Sequence, residues 1–256
     1  MRKTIAIATA LLLAACGGGG GGGGADHDDG DNGGNNGGTS PSASAEGQYN
    51  GTTSRNQSTS FVVLDDQRFY ALYSVPGSSA TIAGFVVGTV ASSDGQLNNG
   101  SGIDYNFLGD GVNNVSLKGS YTPRASVEAT VAYDNGDSTT LQARYDSRFD
   151  ATPTLAAISG NYTGISAIAP GSEAVNLSID ASGNVSGQGS SACAFTGTVA
   201  AHGHGNVYDV AIQFGGSPCA YANQRATGIA VMPASNSIRV ALQTGAKDGV
   251  LLVASK

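Results

Sequence analysis

Tryptophan is absent from this chain of 256 residues, and charged residues make up only 12% of it. Twelve lysines and arginines stand against nineteen aspartates and glutamates, which gives a net charge of −7. Proteins that bind nucleic acids neutralise phosphates with basic patches, and this chain has no such excess of positive charge. The composition therefore excludes nucleic acid as a partner.

The sequence signatures of common enzyme classes are also missing. No Gly-x-Ser-x-Gly elbow is followed by Asp and His in order, and no phosphate loop or dinucleotide fingerprint opens a helix. We therefore predict that the protein binds no cofactor and is not an enzyme.

The first sixteen residues have the pattern of a secretion signal. Arg2 and Lys3 supply positive charge, and the apolar run 5–13 is shorter than the roughly 20 residues that span a bilayer. The segment Leu13-Ala14-Ala15-Cys16 then resembles the lipobox of bacterial lipoproteins. This resemblance implies a signal peptide of residues 1–15 and acyl chains on Cys16 that anchor the mature protein in a lipid bilayer. The alternative is an ordinary signal peptide, with Cys16 left as a free or paired thiol.

Residues 16–45 are predicted to form a disordered, glycine-rich tether behind the anchor. The run from Gly17 to Gly24 is unbroken glycine, and Pro41 is the only apolar side chain in the tether larger than alanine. Such a segment buries too little surface to offset its chain entropy, and it reaches roughly 30 Å as a random coil. Four aspartates flank His27, but a flexible chain is a poor metal cage, so we interpret this cluster as a solvated linker.

A poly-glycine tether behind a lipobox is similar to that of surface lipoproteins of Gram-negative bacteria, such as the transferrin-binding and factor H-binding lipoproteins. The chain also resembles β-rich lipoproteins of proteobacteria that have Gly-x-Tyr-x-Gly units and one cysteine pair. In enteric bacteria an aspartate after the lipidated cysteine retains a lipoprotein in the inner membrane, and here that position is Gly17. The resemblance implies an outer-membrane location, on the periplasmic face or the cell surface.

The remaining body is predicted to be all-β, with almost no helix. Apolar and polar residues alternate in 175–179 and 207–214, so one face of each strand packs in a core. Other short runs have the same character: Thr59–Leu64, Arg68–Ser74, Thr81–Val90, Val127–Tyr133, Leu141–Tyr145, Ile238–Gln243 and Val250–Ala254. The turn pairs Asp94-Gly95, Asn135-Gly136, Ser182-Gly183 and Asp248-Gly249 favour tight hairpins. Together these features predict an antiparallel meander.

The two halves of the body share short segments in the same order. The matches are Gly47-Gln48-Tyr49-Asn50-Gly51 with Gly160-Asn161-Tyr162-Thr163-Gly164, Gly88-Thr89-Val90 with Gly197-Thr198-Val199, and Asp104–Phe107 with Tyr208–Phe214. We therefore predict two tandem β repeats, residues 46–150 and 151–256, joined at Asp150–Thr154. Two small β-barrels and two sandwich-like sheets both fit this pattern, and a closed barrel would leave no exposed strand edge.

Two cysteines remain in the body once the lipid-bearing Cys16 is set aside. Cys193 and Cys219 are an even pair in an exported chain, so we predict a disulfide that pins the strands on either side of residues 206–214. Closing this loop stabilises the fold by roughly 3 kcal/mol. A redox pair is the alternative, but the close Cys-x-x-Cys spacing is missing.

His202-Gly203-His204 is the only histidine cluster of the body. With Asp209 it offers too few ligands for zinc, which takes three or four, so we predict no metal site and an exposed hairpin loop. A Ser/His/Asp triad built on His202 or His204 stays open as an alternative.

Paired carboxylates are the other candidates for chemistry. Asp65-Asp66 falls between two predicted strands, where aspartate forms turns, and Asp104 with Asp110 is the second pair that acid-base work could use. Tyrosines can present an apolar ring with a polar tip to a protein or glycan, and several lie in predicted strands: Tyr49, Tyr70, Tyr73, Tyr105 and Tyr121.

The sequence thus predicts an outer-membrane lipoprotein that acts as a non-catalytic binding or structural module of the envelope, with a protein or glycan partner. The alternative is a periplasmic or surface enzyme or enzyme inhibitor with a site at the loop ends. A concave pocket with converging Asp and His side chains would favour the enzyme, and a filled barrel with an exposed aromatic patch would favour binding.

Overall fold

A computed structural model describes residues 43–109 and 111–256. The predicted signal peptide, Cys16, most of the predicted tether and Asp110 lie outside the described residues. Within the described ranges, no helix has the length and apolar character needed to cross a membrane.

The first eight strands close into one antiparallel barrel, in which each strand pairs with the next. They are β1 (Gly47–Thr53), β2 (Ser58–Val63), β3 (Arg68–Ser74), β4 (Ile82–Ser93), β5 (Gln96–Asn106), β6 (Gly111–Thr122), β7 (Ser126–Tyr133) and β8 (Ser138–Tyr145). The barrel closes where β1 pairs with β8, with Gly51 opposite Ala143. Closure leaves no strand edge open for pairing with another chain.

A second barrel of the same design follows. Its strands are β9 (Gly160–Ile168), β10 (Gly171–Ile179), β11 (Asn184–Gly189), β12 (Ala194–Ala201), β13 (Tyr208–Phe214), β14 (Arg225–Ala234), β15 (Ser237–Thr244) and β16 (Gly249–Ser255). It closes where β9 pairs with β16, with Gly164 opposite Ala254. A 3₁₀ turn (Ser147–Asp150) and a one-turn helix, α1 (Leu155–Ile158), connect the barrels, so the predicted joint lies between them. The all-β meander is confirmed, and the repeats are barrels rather than sandwich-like sheets.

Each run that alternates in the sequence lies on a strand, to within a residue or so at its ends. Three predicted turn pairs also hold, since Asp94, Gly95, Gly136 and Gly183 all have positive φ in hairpins. The prediction for Asp248-Gly249 is wrong. Lys247 takes the positive φ there, and Gly249 already begins β16.

The shared Gly-x-Tyr-x-Gly segments are the first strands of the two barrels, and their tyrosines make the same contact. The hydroxyl of Tyr49 donates to the carbonyl of Ala45 (3.2 Å), and that of Tyr162 donates to the carbonyl of Ile158 (2.6 Å). Both side chains are at most 1% exposed. In each barrel a buried tyrosine therefore ties the first strand to the segment four residues before it.

The second glycine of each motif lets the first strand approach the last. A Cβ atom on Gly51 would lie 1.9 Å from the carbonyl oxygen of Gln142 in β8, and one on Gly164 would lie 2.1 Å from that of Val253 in β16. No side chain fits at such distances. The repeated motif thus places a glycine at the strand pair that closes each barrel.

The barrels share a third hydrophobic core between their outer walls, mainly from β2–β5 on one side and β14–β16 on the other. Its buried members are Val62, Leu64, Tyr70, Leu72, Phe85, Tyr105, Phe149, Val207, Ile229, Val231, Ala241 and Leu251. Corresponding ends of the two barrels lie on the same side. His202, after β12, contacts Asp65, after β2, and Tyr105, near the end of β5, donates to the carbonyl of Lys247, before β16.

We call the end at which β1 and β9 begin the near end, and the opposite one the far end. Residues 43–46 lead into the near end, where they fill part of the first barrel. This asymmetry determines where each candidate functional group lies.

Candidate functional site at the far end of the barrels

The near ends of both barrels are closed. Ala45 is fully buried, and its N–H donates to Ser92 Oγ (3.1 Å), while Tyr121 donates to the carbonyl of Ala43 (3.1 Å). In the second barrel, α1 buries Ile158 completely in the same position. The sequence predicts a tether that includes Ala45, but this residue belongs to the core of the first barrel, because Tyr49 and its neighbours pack around it.

The far end of the first barrel holds a cavity of about 40 Å³, lined by both polar and apolar side chains. The polar side chains of its walls come from the last inward-facing positions of the strands at this end and include Thr53, Thr59, Tyr73, Asp104, Tyr133 and Thr139. Further in, the same strands contribute Ala71, Val131 and Leu141 to an apolar core. The inward face therefore changes from apolar to polar only in its last layer.

Asp104 is the centre of this layer. Only 3% of it is exposed, and its carboxylate accepts hydrogen bonds from the hydroxyls of Tyr73 (2.6 Å) and Tyr133 (2.9 Å). Burial of a carboxylate is costly unless hydrogen bonds replace its water, which the two tyrosines do here. The acid-base pair with Asp110 stays a hypothesis, because Asp110 lies outside the described residues.

The far end of the second barrel is apolar instead. A cavity of about 50 Å³ lies inside, lined by residues such as Phe195, Ile212 and Phe214. The rings of Phe195, Phe214 and Tyr221 stack edge to face, with centroids 6.3 and 6.2 Å apart. Cavities lined in this way stay dry. The two barrels thus present opposite chemistry on one side of the molecule.

The predicted disulfide is confirmed and lies at this end. It joins Cys193, which precedes β12, to Cys219 in the β13–β14 loop, so it bridges across β13. Both cysteines are buried. The bond therefore holds together the loops that surround the apolar mouth.

The β5–β6 hairpin adds an apolar tip to the far end. Leu108 is 62% exposed and Val112 is 52% exposed, and Ile165 on the wall of the second barrel is 52% exposed. These are the most exposed large apolar side chains of the described ranges. Two of the three lie together on one hairpin, which is typical of a contact surface rather than of scattered exposure.

The histidine cluster lies at the near end, and the prediction of an exposed loop is only half right. His204 is 63% exposed, but the side chain of His202 is only 9% exposed. Its Nδ1 contacts Asp209 (2.8 Å), and its Nε2 contacts Asp65 (3.1 Å), because packing of the two barrels brings this aspartate to it. Burial of the imidazole lowers its pKa, but the hydrogen bonds to Asp209 and Asp65 outweigh burial and raise the pKa above 6.5.

This arrangement does not favour catalysis. Both ring nitrogens of His202 are occupied by carboxylates, which leaves none to take a proton from a serine hydroxyl. Asp66, as predicted, lies in the β2–β3 turn, where its carboxylate accepts from Arg68 (2.6 Å). Among the described residues, no group of three His, Cys, Asp or Glu side chains is arranged to hold a metal ion. Asp104 lies at the opposite end from the described histidines, so these groups do not share a pocket. His204 instead lines a cleft of about 540 Å³ at the near end, together with Glu46 and Asp150.

The five tyrosines singled out in the sequence are buried and form no exposed aromatic face: Tyr49, Tyr70, Tyr73, Tyr105 and Tyr121. Four of them donate hydrogen bonds: Tyr49 and Tyr121 to the segment before β1, and Tyr73 and Tyr105 at the far end. Tyr73 binds Asp104, and Tyr105 links the barrels by donating to Lys247 and accepting from Gln243 (2.7 Å). The sequence showed no pattern that separates these two from the core tyrosines.

The geometry defines an all-β protein of two tandem eight-stranded barrels, whose far ends have a polar lining in one barrel and an apolar lining in the other. No family model and no curated protein matches the sequence.

The solved structures that are similar to this chain include three that each align with more than three quarters of it. Transferrin Binding Protein B from Haemophilus parasuis is 10% identical, with a TM-score of 0.26, over 78% of this chain and 66% of that chain. The isotype 1 Transferrin Binding Protein B from serogroup B Neisseria meningitidis is also 10% identical, with a TM-score of 0.29, over 78% of this chain and 66% of that chain. A protein with unknown function from Nostoc punctiforme is 11% identical, with a TM-score of 0.32, over 84% of this chain and 96% of that chain. The chain thus spans just under two thirds of the two Transferrin Binding Protein B chains, and the description of its fold rests on its own strand pairing.

Proposed function

We propose that the protein is an outer-membrane lipoprotein, anchored through acylated Cys16, that acts as a non-catalytic binding module of the cell envelope. The observation that supports this proposal most is the difference between the two ends of the barrels. The chain enters at the near end, while the two contrasting barrel linings and the apolar hairpin lie at the far end. The attachment point of the tether is therefore remote from the face that we propose binds the partner.

The partner we propose is a protein. Leu108 and Val112 form an apolar tip that a protein surface can bury, and apolar side chains at the centre of an interface contribute most of its affinity. A glycan would instead need exposed polar and aromatic side chains, and no tyrosine of the described barrels is fully exposed: eight are buried, and Tyr133 and Tyr145 are half-buried.

The anchor is tested by substitution of Cys16 with serine. The unchanged protein should sediment with outer membranes, and Cys16→Ser should release it into the soluble fraction. Continued membrane association of Cys16→Ser would refute the lipid anchor. Protease added to intact cells then separates the two orientations, since cleavage indicates the cell surface and protection indicates the periplasmic face.

The binding face is tested by photocrosslinking in living cells. Benzoylphenylalanine is introduced at Leu108 in one variant and at Ile165 in another. Ile165 is a matched control, because it is about as exposed as Val112 but lies on the barrel wall. We expect a discrete protein adduct from position 108 and none from position 165. No adduct from position 108, or equal adducts from both, would show that the far end is not the binding face.

A further inference from the structure

The polar mouth of the first barrel is not required by the fold. The second barrel has the same strand order and the same closing motif, but its fifth strand, β13, ends with Ile212 and Phe214 on the inward face, where β5 has Asp104 and Asn106. A barrel of this design therefore closes with an apolar last layer. The buried carboxylate needs a different explanation.

An unpartnered hydroxyl points to a ligand. Thr59 is 7% exposed and lines the same cavity as Asp104, and its Oγ1 is buried without a hydrogen-bond partner. Buried hydroxyls nearly always have a partner, because the loss of water is otherwise uncompensated. A group that donates hydrogen bonds into this cavity would satisfy the hydroxyl oxygen.

The size and charge of the cavity narrow the chemistry of that group. About 40 Å³ accommodates roughly three water molecules, which is too little for a sugar ring or a nucleobase. The Asp104 carboxylate favours a cation, and the rings of Tyr73 and Tyr133 beside it attract positive charge. The positive charge of Arg55 already makes such a contact at the rim of the cavity, where its guanidinium lies 5.3 Å from the centre of the Tyr133 ring.

We propose that the mouth of the first barrel binds an alkylammonium group through Asp104 and Thr59. A primary ammonium has three N–H donors in a small volume, which suits a carboxylate and a hydroxyl that line one cavity. The group is the tip of a lysine on the protein partner or a free primary amine. The first source rests on the proposed function, and amine binding itself does not.

The test is calorimetric titration of the protein, purified from membranes in detergent, with n-butylammonium and N-acetyl-lysine methylamide. Both should give saturable binding, whereas n-butanol, which has the same chain without charge, should give none. Asp104→Asn keeps an oxygen for the tyrosine hydroxyls and should weaken amine binding at least tenfold. No saturable binding to the unchanged protein, or equal affinity in Asp104→Asn, would overturn the proposal.

Two further variants distinguish a ligand site from a structural cluster. Thr59→Val removes the hydroxyl at nearly constant volume, so it should weaken amine binding severalfold while thermal stability is kept or raised. Arg55→Gln removes a like charge from the rim and should strengthen binding about twofold to fivefold. Unchanged affinity in Thr59→Val, or weaker affinity in Arg55→Gln, would contradict an ammonium site.

Competition identifies the source of the ammonium group. If it is a lysine of the partner, saturating n-butylammonium should reduce the photocrosslink from position 108, and n-butanol should not. An unchanged photocrosslink assigns the site to a free amine. Amine binding without any photocrosslink would refute the proposed protein partner but not the amine site. A photocrosslink without amine binding would refute only the amine site.

Discussion

Loss of the Cys193–Cys219 crosslink should lower the stability of the whole molecule. The two cysteines are 26 residues apart, and closing a loop of that length in the unfolded chain is worth about 3 kcal/mol on the chain-entropy model. For a cooperative unit of 150–250 residues this corresponds to a fall in Tm of roughly 6–12 °C.

The effect should spread beyond the second barrel. Residues such as Phe85 and Tyr105 of the first barrel are buried against Ile229 and Leu251 of the second, so neither barrel keeps its outer wall covered when the other unfolds. We therefore expect a single unfolding transition before and after loss of the bond. Separate barrels would instead show one transition that shifts and one that does not.

Scanning calorimetry of three samples checks both points. They are the oxidised protein, the same protein with a reductant, and the variant with Cys193→Ala and Cys219→Ala. Agreement between the reduced protein and the variant shows that the crosslink, and not the packing of sulfur, accounts for the loss. A fall in Tm below about 2 °C would refute the loop-entropy reasoning, and a split transition would refute the shared core as the source of cooperativity.

Three other changes test single contacts of the fold. His202→Gln should cost more stability at pH 5.5 than at pH 8.5. The raised pKa of His202 means that its charged form stabilises the fold below pH 6.5, and this contribution disappears as the pH rises through the folded-state pKa; urea titrations with equal losses at both pH values would contradict it. Tyr49→Phe and Tyr162→Phe should each lower the free energy of unfolding by about 1 kcal/mol, because each removes one buried hydrogen bond, and a loss in only one barrel would show that the two contacts are not equivalent. Gly51→Ala should prevent folding or lower Tm by more than about 10 °C, whereas Gly203→Ala, where a Cβ meets nothing within 4 Å, should leave Tm within about 2 °C; near-native Tm in Gly51→Ala would refute the closing role of the motif.

Strands with regular alternation were predictable, and strands rich in glycine were not. Residues 208–214 alternate along their whole length, and the predicted strand matches β13. β11 has Gly187 and Gly189 inside it and no alternating apolar run, so it reads as a loop. A Cβ on Gly187 would lie 2.3 Å from the ring of Phe195, so glycine is needed there for tight packing across the barrel and does not break the strand.

The candidate sites depended on contacts that no local pattern encodes. Asp104 was visible as a carboxylate, but its tyrosine partners lie 31 and 29 residues away and meet it only when the barrel closes. His202 looked like part of an exposed loop, and its partner Asp65 is 137 residues away on the other barrel. Sequence spacing predicts neighbours within a hairpin, whereas these pairs depend on closure and on packing of the two barrels.

The repeat itself separates what the fold needs from what it does not. Both barrels use a buried tyrosine bonded to a carbonyl four residues earlier, and both have a glycine where the first strand meets the last. Their far ends differ completely, with Asp104 and two tyrosine hydroxyls in one and stacked aromatic rings in the other. Since either lining allows the barrel to close, stability does not dictate the choice between them. A buried charge that the fold does not require has its simplest explanation in what it binds, and this is why the polar mouth is the place to look for a ligand.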